Sequence, residues 1–142
     1  MNQKRLIKKL VLLFVTIVVV GGVLAFPEEI GLCEYNHISC VNLYSESLAQ
    51  PLVIFGLSIL MSLVVLLVSS DMASITWRKF AIWGIPLGAI LITLTPVSNY
   101  GAGGIGIPNI DREIVTWIVS IAFLLISLII IATKSLSRPA AK

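Results

Sequence analysis

Four long apolar runs, separated by short polar segments, are the feature of this sequence that most constrains its fold. They lie near residues 10–26, 52–70, 80–97 and 114–133. A helix needs roughly 20 residues, at a rise of about 1.5 Å each, to cross about 30 Å of hydrocarbon. Apolar residues make up 58% of the chain and charged residues only 12%, whereas soluble domains have about 45–50% and 25%. The sequence therefore predicts an all-α, polytopic membrane protein with four transmembrane helices in a small bundle.

The whole chain, residues 1–142, is expected to form this single four-helix domain, with no room for a separate soluble domain. The short polar segments define where each span begins and ends. The predicted spans are 8–26, 51–70, 80–98 and 113–133, the connections on one side are 27–47 and 99–112, and the connection on the other side is 71–79. Ser47 and Gln50, with Pro51 in the first turn, match a capping box at the start of the second span.

Charged residues between the runs are separated by sign: basic residues lie in one alternate set of connections, and acidic residues lie in the other. Because Lys and Arg near span ends are retained in the cytoplasm, this pattern predicts that both termini are cytoplasmic. Only Asp71 and Arg112 break it. The basic set comprises Lys4, Arg5, Lys8, Lys9, Arg78, Lys79, Lys134, Arg138 and Lys142, and the acidic set comprises Glu28, Glu29, Glu34, Glu46, Asp111 and Glu113. The positive charge therefore indicates topology and not nucleic-acid binding. The first run is favoured as an uncleaved helix over a signal peptide, because it is longer than a usual signal-peptide core and lacks an Ala-x-Ala site.

Cys33 and Cys40 are the only cysteines and both fall in the first connection, which the topology places outside. An exported location and an even count predict a structural disulfide. Two alternatives stay open. A metal site could use Cys33, His37 and Cys40, although these supply three ligands at best. Thiol redox chemistry is also conceivable, although no Cys-x-x-Cys pair is present.

The glycine-rich segment Gly101–Gly106 matches G-x-G-x-x-G literally. That fingerprint binds dinucleotides only between a strand and a helix, whereas here it follows a predicted membrane span. We interpret it as a turn-rich connection. His37, the single histidine, is interpreted as a solvated connection residue rather than a general base.

Hydroxyl side chains recur along two of the spans at helical spacing. At about 100° per residue, those of each span share one face. This predicts that they support helix packing, with a polar pathway as the alternative. The two sets are Ser58, Ser62 and Ser69 in the second span, and Thr116, Ser120 and Ser127 in the fourth.

The third span contains Gly84, Pro86 and Gly88. The two glycines share a face and predict close helix packing, within the chain or in a dimer, while Pro86 predicts a kink. A moving hinge in this segment is the remaining alternative. Aromatic and basic residues near the span ends are typical of interfacial anchors. They are Trp77, Arg78, Lys79, Trp83 and Trp117.

The centres of the spans lack ionisable side chains, which proton relays and transporters of charged substrates usually need. The sequence therefore favours a non-enzymatic plasma-membrane protein that acts as an interaction, scaffold or accessory subunit. Its expected partners are the lipid bilayer and either another membrane protein or further copies of itself; no cofactor, metal or nucleic acid is predicted. The alternatives are an oligomeric channel or transporter for a small neutral solute, and a membrane thiol oxidoreductase that uses the cysteine pair.

Overall fold

The computed structural model describes residues 3–34, 37–95 and 112–136, and these residues form an all-helical bundle. Four helices are long and apolar enough to cross a membrane, which supports a multi-pass membrane protein. The helical elements are α1 (Gln3–Leu24), α2 (Ile38–Tyr44), a π-helical segment (Ser45–Ala49), α3 (Gln50–Val68), α4 (Asp71–Leu94) and α5 (Arg112–Leu136).

The long helices pack in the order α1, α3, α5, α4. α1 lies along α3, α3 along α5 and α5 along α4, whereas α3 and α4 touch only lightly. The core runs along the middle of this arrangement, where Ile59, Leu63 and Leu66 of α3 are almost completely buried. Because α1 packs mainly on α3, much of its surface remains uncovered within the monomer.

Glycines allow α1 to approach α3 closely. A methyl group added at Gly21 would lie 3.0 Å from the Cβ of Leu52, and one added at Gly56 would lie 2.9 Å from the Cγ2 of Val18. These two contacts also fix the relative direction of the helices, since a later residue of α1 meets an earlier residue of α3. α1 and α3 are therefore antiparallel, as consecutive membrane spans must be.

Residues of the predicted connection 71–79 form the beginning of α4, so the helix begins before the predicted third span. The Oγ of Ser70 accepts a hydrogen bond from the backbone N–H of Ala73 at 3.4 Å, and Asp71 lies in the first turn. An N-cap hydroxyl and an early acid both favour helix initiation. The turn between α3 and α4 is therefore reduced to Ser69 and Ser70.

The predicted connection 27–47 is also more helical than expected. α2 runs into the π-helical segment and then directly into α3, giving a continuous helical stretch from Ile38 to Val68. Ser47 lies inside the π-helical segment, and the residue that precedes α3, Ala49, makes no side-chain cap. The predicted capping box is therefore absent, because the backbone N–H groups it would satisfy have carbonyl partners in the preceding helical turn.

Several sequence predictions lie outside the described residues. They concern the glycine-rich segment 101–106, Asp111, most of the predicted connection 99–112, and the basic residues Arg138 and Lys142. Of that connection, Arg112 is described, and it begins α5. The end of the bundle that holds Arg112, the start of α3 and the two cysteines is called the disulfide end below.

Candidate functional site

Most of the hydroxyl side chains predicted to share helix faces are buried: Ser58, Ser62, Thr116, Ser120 and Ser127. Ser58 of α3 and Ser120 of α5 line one cleft. Hydroxyl groups inside an apolar bundle need hydrogen-bond partners, because each unpaired one is costly. We call this set the hydroxyl seam.

Three seam residues bond the backbone of their own helix. The Oγ of Ser58 donates to the carbonyl of Phe55 at 2.7 Å, and the Oγ of Ser62 donates to the carbonyl of Ser58 at 2.9 Å. The Oγ1 of Thr116 donates to the carbonyl of Arg112 at 2.7 Å. These bonds satisfy the hydroxyls locally, so the small side chains can serve close packing of α3 on α5.

Ser69 does not join the seam. It ends α3 in an extended conformation, and its Oγ donates to the carbonyl of Val65 at 2.8 Å. Sequence spacing predicted it on the same face as Ser58 and Ser62, but that spacing applies only while the helix continues.

Ser127 has a partner on another helix. The Nε1–H of Trp77 on α4 donates to the Oγ of Ser127 on α5 at 3.1 Å, and both side chains are buried. Trp77 was predicted as an interfacial anchor, and it lies instead inside the bundle. The indole has an apolar body with a single donor, so it is stable in a core when that donor finds an acceptor.

Ser120 is the exception in the seam. It is 3% exposed, and within the described part of the chain its Oγ has no hydrogen-bond partner. It lines a cleft of about 200 Å³ between α3 and α5. The remaining lining residues, apart from Ser58, are large and apolar: Ile54, Leu57, Met61, Trp117, Ile121 and Leu124. The Oγ of Ser120 is itself buried, so the accessible surface of the cleft is almost entirely apolar.

The walls of this cleft point away from the bundle. Leu57, Met61, Trp117 and Ile121 are each exposed, so the cleft opens on the lateral surface that a membrane would cover. Trp117, predicted as an interfacial anchor, forms one of these walls.

A larger cavity of about 280 Å³ lies between α1, α3 and α4. Its lining is almost entirely apolar and includes Phe14, Phe55 and Ile85. One of its hydroxyls, that of Thr93, already donates to the carbonyl of Ala89 at 2.9 Å. Lipid acyl chains could fill such a space without leaving a polar group unpaired, so this cavity gives no specific indication of a ligand.

Gly84 and Gly88 face neighbouring helices of the same chain. A methyl group at Gly84 would lie 3.2 Å from the Cε2 of Phe123, and one at Gly88 would lie 2.7 Å from the Cζ of Phe55. The rings of Phe55 and Phe123 meet edge to face with centroids 5.5 Å apart. The two glycines therefore make room for aromatic side chains from α3 and α5. α4 continues as a helix through Pro86.

The other predicted anchors lie on the surface. Arg78 and Lys79 are exposed two turns into α4, and Trp83 is exposed near the middle of that helix.

The predicted disulfide is present, between Cys33 and Cys40. The bridge joins the turn after Pro27 to the first turn of α2. On the turn side, the backbone N–H groups of Leu32 and Cys33 both donate to the carbonyl of Pro27, at 2.9 and 3.2 Å. The bridge therefore holds α2 close to the C-terminal end of α1. Among the described residues, no group of three or more His, Cys, Asp or Glu side chains could hold a metal ion.

Arg112 links the ends of α4 and α5. Its Nε donates to the carbonyl of Thr95 at 2.9 Å, and its Nη2 donates to the carbonyl of Thr93 at 3.3 Å. These carbonyls belong to the C-terminal end of α4, where backbone acceptors lack helical partners and a cation is favoured. The sequence analysis had identified Arg112 only as a charge that breaks the pattern.

A comparison of this chain with protein-family models, curated proteins and solved structures finds no match.

Proposed function

We propose that this protein is a non-enzymatic subunit of a membrane complex, and that it binds another transmembrane segment through the cleft between α3 and α5. The observation that carries the proposal is the cleft itself, whose apolar walls Leu57, Met61, Trp117 and Ile121 are exposed on the lateral surface of the bundle.

The walls of the cleft suit the side chains of another helix. Leu57 and Met61 of α3 and Trp117 and Ile121 of α5 form two exposed apolar rows with a recess between them. Within a bilayer, helices associate through van der Waals packing of such surfaces.

We further propose that the membrane is a plasma membrane and that both termini are cytoplasmic. The charges of the described residues support this orientation. Lys4, Arg5, Lys8, Lys9, Arg78, Lys79 and Lys134 lie towards the end opposite the disulfide, whereas Glu28, Glu29, Glu34, Glu46 and Glu113 lie towards the disulfide end. Retention of cations in the cytoplasm then puts the disulfide outside, where oxidation is favoured.

The two alternative functions have less support. An oligomeric channel would need polar groups on an open surface, but Ser62, Thr116 and Ser127 of the seam are fully enclosed. A thiol oxidoreductase usually carries a Cys-x-x-Cys pair, whereas Cys33 and Cys40 are seven positions apart. The enclosed hydroxyls therefore favour a role in helix packing over a channel. The disulfide favours a structural role over redox catalysis.

The test is the native mass of the protein after mild solubilisation of its own membrane. We expect an assembly larger than one chain, and we expect replacement of cleft-wall residue Ile121 by Trp to reduce it. Leu87→Trp, at an equally exposed position on α4, is the matched control. A protein that elutes as a monomer in several mild detergents would contradict the proposal.

A further inference from the structure

We propose that the first turns of α1 bind an anionic phospholipid, with its phosphate held by Arg5 and Lys9 and an acyl chain lying along Leu10 and Leu13. This site lies on a different helix from the α3–α5 cleft, so it goes beyond the proposed function and does not depend on it. Three observations support it: a recess, two cations without an acidic partner, and the depth of those cations.

The recess has a volume of about 490 Å³ and lies along the N-terminal half of α1. The described residues that line it are Arg5, Leu6, Lys9, Leu10 and Leu13. Spacings of three and four residues place them on one side of the helix. The leucines alone would suit any apolar partner, whereas the two cations beside them restrict which occupant fits.

Neither cation is neutralised by an acidic side chain. α1 contains no Asp or Glu, and within the described ranges neither Arg5 nor Lys9 has an ion pair or a side-chain hydrogen bond. Asp71 is the only acidic residue between residues 47 and 110, and residues 1–27 and 114–142 contain none.

The spacing of the two cations suits a single phosphate group. Side chains four residues apart on a helix have Cβ atoms about 5–6 Å apart, so the guanidinium of Arg5 and the ammonium of Lys9 can donate to oxygens of the same phosphate. Charge-assisted hydrogen bonds of this kind are stronger than neutral ones. The occupant that complements the recess is therefore an anion with an apolar tail.

The depth of the recess matches the two parts of a phospholipid. Lys9 is the last charged residue of α1 before its long apolar run, which places it at the boundary of the hydrocarbon. Arg5, four residues earlier, lies about 6 Å further out, within a headgroup layer roughly 5–7 Å thick. Leu10 and Leu13 lie on the hydrocarbon side of Lys9, where acyl chains run. A free phosphate would leave these leucines uncovered, so a phospholipid fits the recess better.

The test is native mass spectrometry of the full chain in a neutral detergent, titrated with phosphatidylglycerol or with phosphatidylcholine of the same acyl chains. We expect phosphatidylglycerol to bind more tightly, because only its headgroup carries a net negative charge. Each Lys or Arg near an anionic lipid contributes about fivefold in affinity, so Arg5→Gln/Lys9→Gln should weaken phosphatidylglycerol binding about 25-fold. Equal binding of the two lipids by the unaltered protein would overturn the inference.

Lys4→Gln/Lys8→Gln is the matched control. It removes two exposed cations at the same helical spacing, neither of which lines the recess. Both double variants have the same net charge, so general effects of charge on membrane insertion or ionisation are equal. A clearly smaller loss of binding in the control supports the site. Equal losses would show a diffuse attraction to the basic surface and overturn it.

Leu13→Trp tests the contact with the acyl chain. The larger side chain fills the recess and should weaken phosphatidylglycerol binding, whereas Leu12→Trp, at the neighbouring exposed position outside the recess, should not. Both positions are exposed, so helix packing should be preserved. Inorganic phosphate, added to the unaltered protein as a competitor, should leave the lipid bound. Unchanged binding in Leu13→Trp, or displacement of the lipid by inorganic phosphate, would overturn the assignment to a phospholipid.

Discussion

The indole of Trp77 and the hydroxyl of Ser127 form a buried hydrogen bond of 3.1 Å between helices α4 and α5, across fifty residues of sequence. Such a bond is the clearest polar link between these helices in the described bundle core. It fixes the relative rotation and depth of two helices that otherwise pack through apolar side chains. In lipid, apolar helix surfaces gain little free energy by contacting one another. Specific interhelical hydrogen bonds therefore contribute to helix pairing.

Replacing Ser127 by Ala should therefore destabilise the bundle. The substitution leaves the buried indole N–H without an acceptor, which costs about 1–3 kcal/mol. The measurement is the free energy of unfolding in mixed micelles as the denaturing detergent fraction rises. Ser62→Ala is the control, because its buried hydroxyl donates to the carbonyl of Ser58 in its own helix and its removal leaves no donor unpaired. Equal destabilisation by the two alanines would contradict the importance of the Trp77 bond.

Gly88→Ala should also destabilise the bundle, for a steric reason. The added methyl group would lie 2.7 Å from Phe55 Cζ and 3.2 Å from Val119 Cγ1, so an aromatic ring at the centre of the packing must move. Overpacking of this kind costs about 1–3 kcal/mol. Gly22→Ala is the control, because no other atom lies within 4 Å of the added group. Thermal unfolding in detergent, followed by helical circular dichroism, distinguishes the two variants; similar midpoints would argue against close packing at Gly88.

The class of the fold is predictable from the sequence because the hydrocarbon core of a bilayer restricts which structures can span it. A bilayer requires long apolar helices, so the four spans could be located from composition alone. The disulfide was predictable because Cys33 has one candidate partner in the chain. The faces of Ser120 and Ser127 could be inferred from helical spacing, since both lie within an uninterrupted helix.

Other features depend on three-dimensional contacts that the sequence does not encode locally. Trp77 beside Arg78 and Lys79 has the pattern of an interfacial anchor, and only the proximity of Ser127 reveals that the indole is buried. The missing partner of Ser120 depends on the orientation of one hydroxyl. Arg112, by contrast, carried a usable signal: a cation on the acidic side of the charge pattern indicates an interaction strong enough to keep it there.

Arg112→Gln should loosen the junction between α4 and α5. The guanidinium donates to the carbonyls of Thr93 and Thr95, and hydrogen bonds from charged donors contribute about 1.5–3 kcal/mol each before discounting for partial exposure. Because Arg112 is only partly buried, we expect a net loss near 1 kcal/mol. Hydrogen exchange of the last turn of α4 should accelerate more than exchange at the start of that helix. Glu113→Gln, at the neighbouring exposed position, is the control, and the prediction is wrong if both variants accelerate exchange equally.

The disulfide provides a direct test of the proposed topology and of the stability of the first connection. A membrane-impermeant maleimide should label Cys33 and Cys40 in intact cells only after reduction with an impermeant reductant, because both sulfurs are bridged and are proposed to lie outside. Closing an eight-residue ring contributes about 2.5 kcal/mol in the loop-entropy model. The Cys33→Ser/Cys40→Ser variant should therefore unfold more easily by up to about that amount, while Ser69→Ala, at the opposite end of α3, should have a smaller effect. Labelling that requires permeabilised cells would reverse the proposed orientation, and labelling without reductant would contradict the bridge.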